Sequence, residues 1–252
     1  MRKIKVADII TRMTVGGAQK VTASVVTLLD KKRFDTTLVS GPQDFYKEIS
    51  DEWNIEVAVI PDLIREISPV KDFIALARLY IYLKRNKFDI VHTHTSKAGI
   101  LGRIAAKLAG VPVIVHSTHG SIYHPIYYGR AAIFFLSRLE NFVASFTDRI
   151  ITCSHNEKDD YLEHRIGTDD KYTVIYNGLK EEMFLRSYDG ASKRRELGVP
   201  DGAILIGNIA RLAPEKGHIY CLEAFKPVAE KFPQAILLAV GDGPLKADIE
   251  KR

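Results

Sequence analysis

The sequence predicts an α/β protein: a doubly wound parallel sheet followed by the beginning of a second sheet of the same kind. Three observations carry that expectation. Short apolar runs alternate with longer segments of helical period, the pattern of successive βα units. Glycines stand just past several of those runs, at the mouths of helices, where backbone must pass close to backbone or ligand. The 252 residues, 46% hydrophobic and 27% charged, suffice for one large domain or two ordinary ones.

Strands are expected at Lys3 to Thr11, Thr36 to Gly41, Glu56 to Pro61, Asp89 to Thr95, Val111 to Thr118, Arg149 to Ser154 and Tyr172 to Tyr176. The first helix lies between the first two strands, with Val21, Val25, Leu28 and Leu29 at i, i+4, i+7 and i+8 on one apolar face. Further helices are expected at Val70 to Asn86, Ala98 to Ala109, Arg130 to Phe146 and Asn156 to His164. These elements make residues 1–185 one domain. Residues 186–201, with Ser-Tyr-Asp-Gly, the basic Lys193-Arg194-Arg195 cluster and Gly198-Val199-Pro200, read as a linker carrying a short helix. Residues 202–252 then start a second domain with a strand at Ala203 to Ile209, a helix at His218 to Phe232 and a strand at Ala235 to Val240. Two parallel strands cannot stand alone, so this second domain is expected to be unfinished and the chain a fragment or truncated product.

Composition narrows the classes further. The two cysteines, Cys153 and Cys221, have no CxxC partner, which argues against a disulfide framework or a cysteine zinc site and for a reducing compartment. No apolar run approaches the ~18 residues of a spanning helix, and the basic start leads into a strand, so a cytoplasmic protein is expected. The net charge of +5 favours anionic partners, nucleotides and phospholipid surfaces among them. No basic tail stands out, which argues against nucleic acid.

Four constellations bear on chemistry. The first βα junction, Thr14-Val15-Gly16-Gly17-Ala18-Gln19, sets Gly16 and Gly17 where a phosphate would meet free N–H groups and the positive helix end. A tight turn without a ligand fits the same residues, and the spacing is not the dinucleotide GxGxxG. The junction Arg211-Leu212-Ala213-Pro214-Glu215-Lys216-Gly217 puts Arg211 and Lys216 directly after a strand, beyond whose carboxyl end ligands sit in open parallel sheets. Arginine forks onto phosphate oxygens and lysine adds a point charge, which suits a diphosphate. The alternative is a solvated turn in which Glu215 pairs with one of the two. Gly241 and Gly243, in Val240-Gly241-Asp242-Gly243-Pro244, repeat the loop logic, and ordinary turn chemistry explains them equally well.

The fourth constellation is histidine: His92, His94, His116, His119 and His124. His92 and His94 share one strand face. No Asp or Glu sits at metal-ligand spacing beside them, so no metal is expected. His119, in Ser117-Thr118-His119-Gly120, ends a strand where its ring can face the crevice and meet a sugar hydroxyl or developing positive charge; a satisfied core histidine fits the local sequence as well. Finally, Ile122 to Phe142 mixes Tyr123, Tyr127, Tyr128, Phe134, Phe135 and Phe142 with Arg130 and Arg138. That mixture suits a membrane interface or an acceptor groove, with core packing the commoner explanation.

Taken in order, these motifs resemble glycosyltransferase family 4, retaining nucleotide-sugar transferases of the GT-B fold with two Rossmann-like domains. Thr14 to Gln19 is similar to the family's glycine loop, Asp89-Ile90-Val91-His92-Thr93-His94 to its fourth strand, and Thr118-His119-Gly120 to its active-site histidine segment. Ile175-Tyr176-Asn177-Gly178 resembles the turn closing the first domain, and Arg211 to Gly217 and Gly241-Asp242-Gly243-Pro244 resemble the next two signatures. The resemblance implies a nucleoside-diphosphate sugar bound between the domains, with Arg211 and Lys216 on the diphosphate and Gly16 and Gly17 assisting. It implies His119 at the transferring sugar, further substrate contacts from His94, Asn177, Gly241 and Gly243, and neither a cofactor nor a metal. The implied acceptor is a saccharide or lipid-linked saccharide in surface polysaccharide assembly, met at the inner face of the plasma membrane. The family's pair of glutamates seven residues apart belongs beyond Gly243-Pro244, where the sequence ends at Arg252, so neither is assigned. A non-catalytic remnant or binding module, and a nucleotide-sugar epimerase of similar fold, remain as alternatives.

Overall fold

The computed structural model describes residues 2–14, 16–42, 57–178, 181, 185 and 187–251. Val15 of the glycine loop, Glu56 at the expected start of the third strand and Arg186 at the expected start of the linker lie outside them. The chain divides into two compact units, Met1–Gly178 and Leu179–Arg252.

The first unit is a seven-stranded sheet, every pairing parallel, in the order β3-β2-β1-β4-β5-β6-β7. Its strands are β1 (Ile4–Ile10), β2 (Phe34–Ser40), β3 (Val57–Val59), β4 (Ile90–His94), β5 (Val113–Ser117), β6 (Arg149–Thr152) and β7 (Tyr172–Val174). Its helices are α1 (Gly17–Leu28), α2 (Pro69–Asn86), α3 (Ser96–Ala109), α4 (Arg130–Ser145) and α5 (His155–Glu163). All the strands and helices expected for this unit form, each within a few residues of its expected ends.

Strand parity sorts the core into two layers. Ile10 and Leu38 turn toward α1 and pack with Met13, Ala23 and Val26. Ala7, Ile9, Val39 and Val91 turn the other way, onto α2 and α3, and build the larger core with Leu79, Leu83 and Ala105. Helix α3 approaches the sheet closely because it presents small residues: a Cβ on Gly102 would stand 2.8 Å from Thr93 Cγ2, and one on Gly99 2.5 Å from His116 Cε1. Helix α1 corrects the expected stripe. Its buried residues are Thr22, Ala23 and Val26, and Leu28 is 74% exposed. The helix is rotated so that Val21 and Val25 flank the buried line, and Thr22 can enter it because its hydroxyl donates to Ala18 O.

A buried ion pair locks α3 to α4. Arg103, fully buried, pairs with Glu140, and its remaining donors reach Gly99 O (2.8 Å) and Thr147 Oγ1 (3.4 Å). Charges are held inside only when paired and hydrogen-bonded in this way.

The second unit contains α6 (Gly190–Glu196), β8 (Ile204–Ile209), α7 (His218–Lys231), β9 (Ala235–Val240) and α8 (Lys246–Glu250), with β8 and β9 paired in parallel. Helix α6 lies inside the segment expected as a linker. Leu212, Ala213 and His218 are buried here, whereas Ile204 and Ile206 remain 48% and 40% exposed along one face of β8.

Candidate functional site

The order of winding reverses between β1 and β4. In open parallel sheets the crevice for ligands opens at such a switch point, outside the carboxyl ends of the strands. Parallel register levels Asp8 with His92 and Ile10 with His94. Because residues two apart share a face, Asp8, His92 and His94 project together from the α1 side of the sheet.

They form one hydrogen-bonded group. Asp8 Oδ1 lies 3.0 Å from His92 Nδ1 and 3.2 Å from His94 Nε2. His92 Nε2 is 2.8 Å from Ser117 Oγ, and His94 Nδ1 is 2.9 Å from His119 Nε2. Asp8 and His94 are wholly buried, and His119 is half-buried. Burial would raise the Asp8 carboxyl, but the hydrogen bonds from His92 and His94 outweigh it and hold the group below its ordinary range. Burial, helped by His92, pushes His94 down to about 3 and His119 down to about 4. His94 and His119 are therefore neutral at pH 7 beside an ionised carboxylate.

This arrangement corrects one premise drawn from the sequence. An acidic residue does stand beside His92 and His94; it comes from another strand and so escaped a search by spacing. One ligand atom from each of Asp8, His92 and His94 lies within 4.8 Å of the others. In this structure the carboxylate serves both rings as a hydrogen-bond acceptor. The signal available in the sequence was Asp8 itself, a charge in the middle of the apolar run Val6-Ala7-Asp8-Ile9-Ile10.

His119 adopts φ +61° and Thr95, at the end of β4, φ +62°. Non-glycine residues in left-handed conformations persist only where their surroundings over-determine them, and they gather at functional sites. Glu157 supplies the constraint at His119. Its Oε1 accepts from Thr118 Oγ1 (2.6 Å) and from Gly120 N, on either side of the histidine, while Oε2 accepts from Cys153 N and Cys153 Sγ. Burial and Glu157 together raise the Cys153 thiol to about 11. Sequence reading missed Glu157 too, although Ser154-His155-Asn156-Glu157 has capping-box spacing. Ser154 Oγ does accept from Glu157 N (3.2 Å), but the carboxylate turns to the β5 loop.

Gly16 is the N-cap of α1 in extended conformation, and a Cβ on Gly17 would meet nothing within 4 Å. A Cβ on Gly16, by contrast, would stand 2.4 Å from Gln19 Oε1, whose amide donates to Arg12 O at 3.3 Å, so the Gln19 side chain lies over the start of the helix. Asn177 is exposed near the end of the first unit.

In the second unit Arg211 and Lys216 follow β8 as expected, and both are exposed. Arg211 pairs with Glu215 at 2.7 Å, the partner named by the solvated-turn alternative. Lys216 makes no ion pair among the described residues. The loop's course is fixed from beneath: buried His218 reaches Arg211 O at 3.1 Å, and Leu212 N donates to Asp242 O at 2.9 Å. A Cβ on Gly241 would stand 2.0 Å from Ala210 O, and one on Gly243 2.4 Å from Leu212 O. Close packing against the Arg211 loop accounts for glycine at both positions.

Aromatic residues after His119 divide. Tyr123 is buried among Ala144, Ile150 and Tyr161. Tyr127, Phe134, Phe135 and Phe142 are exposed, Phe135 by 70%. A cavity of about 440 Å³ opens beside them, lined by Tyr123, Arg130, Phe134, Arg138 and Arg165 among others. Core packing thus explains only part of this segment.

A doubly wound parallel domain with its polar cluster at the switch point, followed by the strands of a second parallel sheet, is the Rossmann-like α/β architecture of the GT-B class. The crystal structure of Anabaena HepE in complex with UDP and glucose superposes with a TM-score of 0.78 at 21% identity, over 98% of this chain and 64% of that one. The family model for Glycosyltransferase Family 4 matches residues 15–182, and that for Glycosyl transferases group 1 matches residues 189–252. The chain belongs to glycosyltransferase family 4. It is 37% identical over 256 residues to the Escherichia coli UDP-Gal:alpha-D-GlcNAc-diphosphoundecaprenol alpha-1,3-galactosyltransferase, covering 98% of this chain and 64% of that enzyme. To the Staphylococcus aureus capsular polysaccharide biosynthesis glycosyltransferase CapM it is 25% identical, over 86% of this chain and 56% of the relative. The chain therefore spans about 56–64% of the length of these curated relatives.

Proposed function

We propose that the protein transfers a sugar from a nucleoside-diphosphate sugar to a lipid-linked saccharide, with retention of configuration, in the assembly of a surface polysaccharide. The observation that carries this reading is the 37% identity, over 98% of the chain, to an enzyme whose name gives a UDP-sugar donor and a diphosphoundecaprenol-linked acceptor. The second unit supplies charge: Arg211 and Lys216 hold the diphosphate, Arg211 exchanging its Glu215 partner for phosphate oxygens. The first unit supplies the amino-terminal end of α1, at Gly16 and Gly17, and the neutral His119 ring, which meets the sugar. His94 stands behind that ring, and Asn177, Gly241 and Gly243 shape the loops around the substrate. Preorganised positive charge stabilises the departing diphosphate, which on the retained face takes the proton of the acceptor hydroxyl. No residue of this chain is assigned as a general base, and no metal or cofactor enters the reaction.

The exposed aromatic face of α4 and the neighbouring cavity serve the acceptor. Phe134, Phe135 and Phe142 would enter the headgroup region at the cytoplasmic face of a membrane, and Arg130, Arg138 and Arg165 would meet anionic groups there.

The test is transfer of radiolabelled sugar from a panel of nucleotide sugars to lipid-linked acceptors by the protein containing residues 1–252. Arg211→Ala and Lys216→Ala are each expected to lower kcat/KM at least tenfold. Full activity in both variants rejects the diphosphate assignment. An epimerised nucleotide sugar formed without acceptor rejects transfer as the reaction.

A further inference from the structure

We propose that Asp8, acting through His94, is a positioning residue that holds His119 in a single neutral tautomer, with its proton on Nε2 and the lone pair of Nδ1 offered to a hydroxyl group of the substrate. The inference rests on the reading above that His119 meets the transferring sugar.

The assignment follows from counting donors and acceptors along the chain of contacts. An ionised carboxylate only accepts, so at 3.2 Å from Asp8 Oδ1 the His94 Nε2 must carry a proton. A neutral imidazole has one N–H, which leaves His94 Nδ1 as a bare acceptor. That nitrogen is 2.9 Å from His119 Nε2, which must therefore be the donor. His119 is neutral as well, so its Nδ1 is unprotonated, and it has no hydrogen-bond partner among the described residues. The end of the relay is an unpartnered lone pair on a half-buried ring, able to accept from a hydroxyl and unable to donate.

Two further features fix the direction. His92 gives its Nδ1 proton to the same Asp8 oxygen, and its Nε2 is taken up with Ser117 Oγ, so Oδ1 is held between the two rings while Oδ2 has no hydrogen-bond partner among the described residues. Glu157 ties Thr118 and Gly120, so the His119 backbone is held on both sides, and the ring is directed by its contact with His94. A carboxylate that fixes the tautomer of an imidazole is a known means of setting which nitrogen faces the substrate, and an amide in its place permits the wrong tautomer.

Histidine labelled with 15N throughout the chain, read by long-range proton–nitrogen correlation at pH 7, reports which ring nitrogen carries the proton. The expected result is Nε2–H for both His94 and His119. A proton on Nδ1 of His119 overturns the proposal outright, whatever the activity. His94→Phe keeps a ring in the pocket but removes the relay, and Asp8→Asn offers an N–H where only an acceptor stood. Folded forms of either variant should show mixed His119 tautomers and a kcat/KM for sugar transfer lowered at least tenfold. If His119→Ala abolishes transfer while both folded variants keep the wild-type tautomer and rate, the relay is refuted and the role of His119 stands. If His119→Ala transfers sugar normally, the role of His119 falls and the relay with it. Should the wild-type protein transfer no sugar, the proposed function fails, and the tautomer spectrum still decides the relay.

Discussion

Three imidazoles of the first unit resist protonation. Burial pushes His94 to about 3 and His119 to about 4, and it drives His116, which also faces Arg103, well below its ordinary value. In the unfolded chain each returns to about 6.5. Between those limits the unfolded state binds protons that the folded state refuses, so stability rises with pH there. The contribution is complete above about pH 6.5 and is lost as pH falls toward the folded-state values of His119 and His94, about 4 and about 3, with His116 acting in the same direction. Asp8 does not offset this, since its lowered carboxyl stays ionised through the window. Urea unfolding at pH 7.5 and pH 5 should show a midpoint clearly lower in acid; equal midpoints would contradict neutral burial of these rings. The sequence revealed part of this cluster. His92 and His94 declare a common face by their spacing, whereas Asp8 joins them across 86 residues only through the register of β1 against β4. His119 was legible because a histidine before a glycine at a strand end is unusual chemistry. Glu157 was hidden because its spacing announces a helix cap and its carboxylate does something else.

At the scale of elements, the loop bearing Arg211 depends on the loop after β9. Gly241→Ala would drive a methyl group into Ala210 O, and backbone cannot yield as a flexible side chain does. A destabilisation of roughly 2 kcal/mol or more is expected, together with faster amide exchange at Leu212 and Lys216. Gly207→Ala, where a Cβ meets nothing within 4 Å, is the control and should leave exchange at those amides unchanged. Elements were read well wherever an apolar run or a helical period was long. The facing of α1 was not, because Thr22 reads as polar until its hydroxyl is seen to satisfy itself on the preceding turn.

On the scale of the whole molecule, alternation of strand and helix was enough to forecast both parallel sheets. Which surfaces stay bare depends on packing that no local pattern encodes. Phe134, Phe135 and Phe142 have core-like identities yet face outward, and among the described residues no helix is long and apolar enough to cross a membrane. Vesicles containing anionic phospholipid should retain the protein, with retention falling as salt rises. Phe135→Ser with Phe142→Ser should reduce retention at least fivefold without shifting the melting temperature by more than about 2 °C. Retention unaffected by these substitutions would remove α4 from the membrane contact.

The dependence of the His119 segment on Glu157 also bears on biosynthesis. Synthesis runs from the amino terminus, so Thr118 and Gly120 are made 37–39 residues before the carboxylate that restrains them. A nascent chain with β1, β4 and β5 already complete still lacks the clamp on its histidine loop. The geometry of the histidine loop is then acquired at a defined point of translation, when α5 leaves the ribosome.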